Sequence, residues 1–340
     1  ARSGREHHHK AVNTDTATTR RRETEFQSTD EVSIVVHGFV VALGFGFGLS
    51  AEASGLIFRI VQFGEAVSRF TAGHEELKAF RDFGVGIGST SQRRDFRRVV
   101  DDERRLNQLV FGNFFKESLF SYEPYASYQD RFNIRAVMAP SKDSGITIPA
   151  EDIWKNTAVG CSFYTFDSER YCMSYDNQSI RNLAGLVPYD QIYILANTSK
   201  YGGGGIYNFY CVSSTDDHFS SDVIIHEFGH GFAGLGDEYY DDSGSYEEFY
   251  NLSIEPWEPN ITTLVDFESK WKDMLKKKTP VPTPQEEKYI DEVGVYEGGG
   301  YEPKGMYRPK MDCLMKTFKG DKFCEVCNRA IEKMILYYTE

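Results

Sequence analysis

The chain contains 340 residues, of which 40% are hydrophobic and 14% are aromatic, a composition that excludes a wholly disordered protein. Its formal net charge of −13 argues against a general nucleic-acid-binding protein, because such proteins normally carry a basic excess. The length is sufficient for two ordinary domains or for one large domain with elaborations.

The composition changes sharply near residue 121. Residues 1–121 contain no Pro, Tyr, Trp or Cys, whereas residues 122–340 contain all 11 Pro, 21 Tyr, 3 Trp and 6 Cys of the chain. We therefore divide the sequence into an N-terminal region, residues 1–98, which we expect to be disordered or atypical, and a domain of ordinary composition, residues 99–340. Because the chain starts at Ala1 and not at Met, we also expect it to be a fragment or a processed product.

One tract of the N-terminal region is almost free of charge, VSIVVHGFVVALGFGFGL at residues 32–49. Its length allows a membrane span, and the Ala51-Glu52-Ala53 sequence after it resembles a signal-peptidase site. Four glycines and His37 interrupt the tract, which is also compatible with buried strands. A third interpretation is that part of this region is not a selected protein sequence, for example an upstream stretch read in the wrong frame. No chemistry is assigned to it.

Residues 99–340 show the patterns of mixed strands and helices. Predicted strands occupy residues 132–140, 190–198 and 206–214. Helices are predicted at residues 100–121, 266–278 and 323–338 and in the segment 220–240, where the helix follows the polar start of the segment; loops are predicted at 279–284 and 298–315. This order predicts an α/β or α+β domain with a mixed, twisted sheet, and residues 122–340 contain no predicted membrane span.

His226 and His230 belong to an H-E-x-x-H sequence, HEFGH, in the helix predicted over residues 220–240. Positions i and i+4 share one face of a helix, so both imidazoles can reach a single zinc ion. Glu227 is adjacent and is suited to act as general base on a metal-activated water, whose pKa zinc lowers toward about 7. An ordinary polar helix face is the alternative, since the five-residue motif also occurs by chance.

The third metal ligand is expected just after this helix. Gly234 or Gly236 can end the helix in a left-handed turn, which would bring Asp237 or Glu238 back to the metal. Two histidines, one carboxylate and a water complete a tetrahedral hydrolytic zinc site. We favour Asp237 as the third ligand and keep Glu238 as the alternative. Without a metal role, Asp237 would be a carboxylate that caps the turn.

The sequence HEFGHGFAGLGDEYY resembles the active-site signature of the IgA-peptidase family of zinc metalloendopeptidases. Further segments resemble the family in the same order, namely WKNTAVG at 154–160, YDQIYILANTSKYGGGGIYN at 189–208 and GMYRPKMDCLM at 305–315. The resemblance covers roughly residues 100–340 and implies a zincin-like catalytic domain with one catalytic Zn2+, bound by His226 and His230, and with Glu227 as general base. The spacing differs from that of metzincins, because Gly234 and Asp237 each lie one residue further from His230.

The resemblance also suggests roles for residues outside the motif. Met315 is expected to form a methionine turn beneath the zinc. Tyr307, or alternatively Tyr301, is the candidate hydrogen-bond donor to the oxyanion formed in peptide hydrolysis. The run Gly202–Gly205 suits either an edge strand on which an extended substrate pairs or a simple flexible loop.

The six cysteines are expected to form disulfides, with Cys161–Cys172 as one pair and Cys313 joined to Cys324 or Cys327 as another. A second zinc site at the last three cysteines is the alternative, but the sequence shows no fourth ligand for it. Disulfides together with a metallopeptidase signature indicate a secreted or extracytoplasmic protein.

The sequence thus predicts a zinc-dependent endopeptidase whose partner is a protein or peptide substrate and not nucleic acid. One alternative is a catalytically silent, zinc-containing polypeptide-binding module of the same fold. The intact Glu227 disfavours this module, because a degenerate site has no reason to keep the base. Another alternative is a metal hydrolase that acts on a smaller substrate.

Overall fold

The computed structural model of the protein describes residues 31–36, 38–44, 118–139, 141–240, 249–319 and 322–340. The proposed domain boundary at residue 98 and nearly all of the helix predicted at 100–121 lie outside these residues, and only a 3-10 turn at Leu119–Ser121 is described. Two segments of the uncharged N-terminal tract are described, and both form strands.

The described residues form ten β-strands, three α-helices and several short 3-10 turns. The strands are β1 (Glu31–Val36), β2 (Gly38–Gly44), β3 (Asn133–Ala139), β4 (Cys161–Ser162), β5 (Met173–Ser174), β6 (Ile192–Ala196), β7 (Gly203–Ile206), β8 (Tyr210–Ser214), β9 (Tyr296–Gly299) and β10 (Glu302–Arg308). The helices are α1 (Asn177–Ala184), α2 (Ser220–Ala233) and α3 (Glu325–Thr339). Within the described ranges, no helix combines the length and the apolar character needed to cross a membrane.

Six of the strands form one mixed sheet in the order β1-β2-β6-β8-β7, with β3 paired to β2. Strands β6 and β8 run parallel, with Ile192 opposite Tyr210 and Ala196 opposite Ser214. Strand β7 is antiparallel to β8, and β2 is antiparallel to both β1 and β3. The mixed α/β class predicted from the sequence is therefore found in the structure.

Helix α2 is buried along most of its length, because it packs against β7 and β8 on one side and against α3 on another. Its apolar run, residues 223–225, lies in the core as the sequence predicts. The rings of Phe228 and Phe232 stack with their centroids 5.2 Å apart, and both side chains are buried. Burial of one such side chain contributes about 1.5–3 kcal/mol, so this helix is a rigid platform for the residues it carries.

The strand predicted at 206–214 is interrupted. Residues 207–209 form a tight turn in which Asn208 adopts a left-handed conformation with φ 54° and the Phe209 N–H donates to the Ile206 carbonyl at 3.1 Å. The preceding glycine run belongs to β7, so the chain makes a hairpin of β7 and β8. Asn tolerates positive φ better than most residues, which explains why the turn falls at this position.

The prediction of a helix at residues 266–278 is wrong. Two separate 3-10 turns, Phe267–Ser269 and Lys272–Met274, occupy this segment. Trp271 between them is fully buried, and its Nε1 donates to the Gly294 carbonyl at 2.8 Å. The burial and hydrogen bond of Trp271 outweigh the preference of the local sequence for a helix. The segment at 298–315, predicted to be rich in loops, contains part of the β9–β10 hairpin.

Gly231 offers a test of the close packing between α2 and β8. Replacing glycine by alanine inside a helix normally stabilises it by about 1 kcal/mol. At Gly231, however, a Cβ would overlap the Cys211 sulfur. We therefore expect Gly231→Ala to lower the free energy of unfolding by about 1–3 kcal/mol in urea titrations. In a Cys211→Ala background the same substitution should be neutral or stabilising, and a loss of equal size in both backgrounds would contradict the overlap.

Candidate metal centre and substrate cavity

The H-E-x-x-H motif occupies the last two turns of α2, and the helix ends at Gly234 in a left-handed conformation with φ 63°. The Gly234 N–H donates to the His230 carbonyl at 3.0 Å, and the Leu235 N–H donates to the Gly229 carbonyl at 3.2 Å. This pair of bonds is typical of a glycine-terminated helix. The chain reverses here, as the sequence predicts, and returns toward the motif.

The two histidine rings are oriented by backbone carbonyls. His226 Nδ1 lies 3.0 Å from the Leu314 oxygen, and His230 Nδ1 lies 2.5 Å from the Leu235 oxygen. A carbonyl can only accept a hydrogen bond, so each Nδ1 donates and each Nε2 is left as the metal-binding atom. The two Nε2 atoms are 3.1 Å apart, which is the convergence that one shared ion requires.

Asp237 completes this group. Its Oδ1 lies 3.1 Å from His226 Nε2 and 3.3 Å from His230 Nε2. In a tetrahedral zinc site with bonds of about 2.0–2.1 Å, neighbouring ligand atoms are about 3.3 Å apart. The three atoms therefore have the spacing of one face of such a site. The donor set and its spacing fit Zn2+; the assignment of the three residues as ligands stays a prediction.

Asn260 fixes the segment that presents Asp237, and sequence reasoning missed this role. Its side-chain oxygen accepts from the Gly236 N–H at 2.7 Å, and its amide nitrogen donates to the Gly236 carbonyl at 2.9 Å. The Gly300 N–H donates to the Asp237 carbonyl at 2.8 Å. Glu238, the alternative third ligand, is fully buried in a different cluster and is not part of the histidine group.

The charges of the histidines and of Asp237 compensate one another. Burial lowers the pKa of His230, but the Asp237 carboxylate outweighs this effect and raises that pKa to about 9. Burial opposes ionisation of Asp237, yet His230 and His226 hold its pKa well below the usual range. With this raised pKa the His230 imidazole holds a proton at neutral pH, which a metal ion would displace on binding.

Glu227 projects from the same helix, is buried, and lines the adjacent cavity. Burial raises the pKa of its carboxyl, and His226 and His230 partly offset this rise. A carboxylate with a raised pKa is a better proton acceptor than an ordinary surface glutamate, which is the property that a general base needs.

A chain of tyrosines supports Asp237. The Tyr301 hydroxyl donates to Asp237 Oδ2 and lies 3.0 Å from the Tyr171 hydroxyl. A side-chain hydrogen bond links Tyr171 to Tyr239, whose hydroxyl accepts from the Arg170 guanidinium at 2.8 Å. Burial raises the pKa of Tyr171 and Tyr301, so both hydroxyls keep their protons at neutral pH. Sequence reasoning missed Arg170 and Tyr171, which carry no motif of their own.

Tyr307 and Tyr301, the two alternative candidates for the oxyanion hydrogen-bond donor, occupy different positions relative to the cavity. Tyr301 lines the cavity, whereas Tyr307 lies within β10 and is not among the cavity-lining residues. The Tyr307 N–H and carbonyl pair with the Thr262 backbone. Met315 is buried, and its sulfur lies close to Gly229 on α2, so it lies against the helix that carries the histidines.

The cavity beside the motif has a volume of about 1130 Å³ and is lined by backbone as well as side chains. Residues 202–207 form one wall, so the glycine run predicted to open an edge strand borders the metal group. Large, well-exposed aromatic side chains lie on its rim, among them Phe166, Tyr175 and Trp257. A space of this size accommodates several residues of a polypeptide.

The six cysteines are all buried thiols, and no disulfide joins any two of them. The predicted disulfides are therefore not confirmed. Cys161 and Cys172 lie in the core near α1, away from the last three cysteines. Cys313, Cys324 and Cys327 surround the Glu238 carboxylate.

Tyr301→Phe tests the support of Asp237. Loss of a partner that orients a metal ligand typically costs 10–100-fold in metal affinity. We expect the Zn2+ affinity of the histidine site to fall by this factor in Tyr301→Phe, as measured by competition with a chelator. Zinc that still binds to His226→Ala measures the contribution of any other site and is subtracted. Tyr307→Phe removes the same atom from the same hairpin and should leave the affinity unchanged. If Tyr307→Phe lowered the zinc affinity and Tyr301→Phe did not, Tyr307 and not Tyr301 would be the tyrosine that supports the site.

The chain was compared with sequence models of known protein families. The family described as IgA Peptidase M64 has a sequence model that matches residues 112–292 and 285–335. No curated protein matches the chain. The matched ranges cover more than half of the chain and contain the H-E-x-x-H helix, Asp237 and Met315. The resemblance seen in the sequence is confirmed, and the chain belongs to the IgA peptidase M64 family.

Proposed function

We propose that this chain is a zinc-dependent endopeptidase with a zincin-like arrangement of its catalytic domain. The observation that carries the proposal is the convergence of His226 Nε2, His230 Nε2 and Asp237 Oδ1 within 3.1–3.3 Å, beside the buried Glu227. Membership of a peptidase family supports hydrolysis of peptide bonds. The large cavity supports a polypeptide substrate.

In the proposed hydrolysis of a peptide bond, the zinc ion and the protein side chains would have different roles. When bound, Zn2+ supplies Lewis-acid polarisation of the scissile carbonyl and acidifies a water molecule. Glu227 accepts the proton of the attacking water and delivers it to the nitrogen of the leaving amine. Its buried carboxyl has a raised pKa and therefore suits both halves of this transfer. The carbonyls behind the two histidines and the Tyr301 hydroxyl behind Asp237 keep the ligands in place, which limits reorganisation during the reaction.

Strand β7 is the proposed docking edge for the substrate backbone. The Gly203 N–H donates to the Arg170 carbonyl and the Gly203 carbonyl accepts from the Cys172 N–H, so both groups point away from β8. Alternate residues of a strand point the same way, and therefore the Gly205 backbone groups face the cavity. An extended polypeptide that pairs with Gly205 would pass directly over α2.

Glycine is required along this strand for a steric reason. A Cβ at Gly205 would overlap the Glu227 carbonyl and crowd the His230 side chain. The missing side chains thus allow β7 to lie against the metal helix and bring its edge to the reacting groups. The exposed aromatic side chains on the rim are suited to contact apolar side chains of the substrate.

The catalytically silent module is not favoured. A binding module would not need a buried carboxylate beside the metal group, since burial of a carboxylate is costly even where histidines partly compensate its charge. A proton-transfer role explains why a carboxylate lies at this position.

Glu227→Gln separates catalysis from binding of the metal. The amide keeps the volume of the carboxylate but cannot accept the proton, so we expect cleavage of an unfolded protein substrate to fall by at least about 10²-fold while zinc content stays unchanged. Glu302 is also 9% exposed, like Glu227, but lies outside the cavity lining, and Glu302→Gln serves as the matched control with retained cleavage. Full activity of the Glu227 variant with zinc bound would end the proposed mechanism.

A further inference from the structure

A second cluster of potential metal ligands lies beside the catalytic group and is not used by the proposed reaction. It consists of Glu238, Cys313, Cys324 and Cys327, and one ligand atom from each residue lies within 4.8 Å of the other three. All four side chains are buried, with at most 3% of any residue exposed. We propose that this cluster binds a structural Zn2+ ion through three thiolates and one carboxylate.

The distances between the ligand atoms suit a single tetrahedral ion. Cys313 Sγ and Cys327 Sγ are 3.8 Å apart, and Cys327 Sγ lies 3.2 Å from Glu238 Oε1. Zinc–sulfur bonds of about 2.3 Å in tetrahedral geometry place two sulfurs about 3.8 Å apart. A disulfide bond needs about 2.05 Å instead, so the two sulfurs are not bonded to each other, and their separation is the one that two ligands of a single zinc ion require.

The backbone around the cluster is arranged to stabilise thiolates. The Cys324 N–H donates to Cys313 Sγ at 3.2 Å, and the Cys327 N–H lies 3.5 Å from Cys324 Sγ. Cys324 is the N-cap of α3, where the helix dipole favours negative charge. Hydrogen bonds of this kind orient metal ligands and raise the stability of the ionised sulfur.

The hydrogen bonds of the Glu238 carboxyl group leave one of its oxygens unsatisfied. The side chain is completely buried, Asn260 donates to its Oε1 at 3.0 Å, and its Oε2 has no hydrogen-bond partner among the described residues. A disulfide between two of the cysteines would leave this oxygen and the third thiol uncompensated. A divalent ion satisfies all four groups at once, and three sulfur ligands favour zinc over magnesium or calcium.

The proposed ion would connect the segments that build the catalytic group. Glu238 follows the predicted ligand Asp237, and the Glu238 N–H donates to the Met315 carbonyl at 2.8 Å. Cys313 precedes Leu314, whose carbonyl orients His226. A zinc ion in the cluster therefore ties residues 237–238 to residues 313–315 and to the start of α3.

Metal analysis of the full chain tests the proposal. We expect two zinc ions per chain in the unmodified protein and one in either His226→Ala or Glu238→Gln with Cys327→Ser. Cys161→Ala removes an equally buried thiol outside the cluster and should retain two. The His226 variant leaves the cluster intact, so it gives a decisive result even if the cluster variants fail to fold. A zinc-free His226→Ala protein would overturn the second site.

Two further measurements distinguish the cluster from a disulfide and from the catalytic site. Replacement of zinc by Co2+ should give a thiolate-to-cobalt absorption band that persists in His226→Ala, because the predicted catalytic ligands contain no sulfur. Titration of the denatured, unreduced Cys161→Ala variant with a thiol reagent should find all five remaining thiols. Three thiols and no absorption band would establish a disulfide in the cluster and overturn the proposal. One zinc retained in His226→Ala, with one zinc in the unmodified chain, would instead overturn the proposed catalytic metal alone.

Discussion

The return of the chain after Gly234 is the constraint on which the site depends. It reverses the backbone immediately after the second histidine and delivers two consecutive carboxylates to the base of the helix. Side chains of consecutive residues in an extended segment point in opposite directions. Asp237 therefore faces the imidazoles, whereas Glu238 faces the cysteines, and one short segment supplies a carboxylate to each cluster.

The motif residues and the end of the helix could be predicted because both depend on residues that are close together in the sequence. The i, i+4 spacing places two histidines on one face, and a glycine at the helix end allows the left-handed turn. The sequence favours Asp237 over Glu238, but it does not show what holds Asp237 toward the histidines. Asn260, which binds the Gly236 backbone, and the Tyr301 hydroxyl, which binds Asp237, lie 24 and 64 residues further along the chain than the residues they hold.

The positions of Tyr301 and Tyr307 and the structure of the segment at 266–278 also depend on contacts that the local sequence does not reveal. Tyr301 has φ 68° and lies between β9 and β10, at the end of the hairpin beside the cavity, whereas Tyr307 is paired within a strand. Their sequence neighbourhoods do not distinguish these positions. The charged stretch around Trp271 has a helical pattern, but burial of one indole against Gly294 outweighs the small preference of its neighbours for a helix.

The surroundings of the last three cysteines could not be predicted from the sequence. Disulfides were expected because no fourth ligand for a zinc site was evident there: Glu238 lies 89 residues before Cys327, and no local pattern marks it as a potential ligand. The prediction of a secreted protein rested partly on those disulfides. If three of the six cysteines bind zinc, they carry no information about an oxidising compartment, because a thiolate–zinc site is built from reduced sulfur. The same cysteines then act within the fold, by fixing Leu314 behind His226 and Glu238 beside Asp237, so that the stability of one metal cluster sets the geometry of the other.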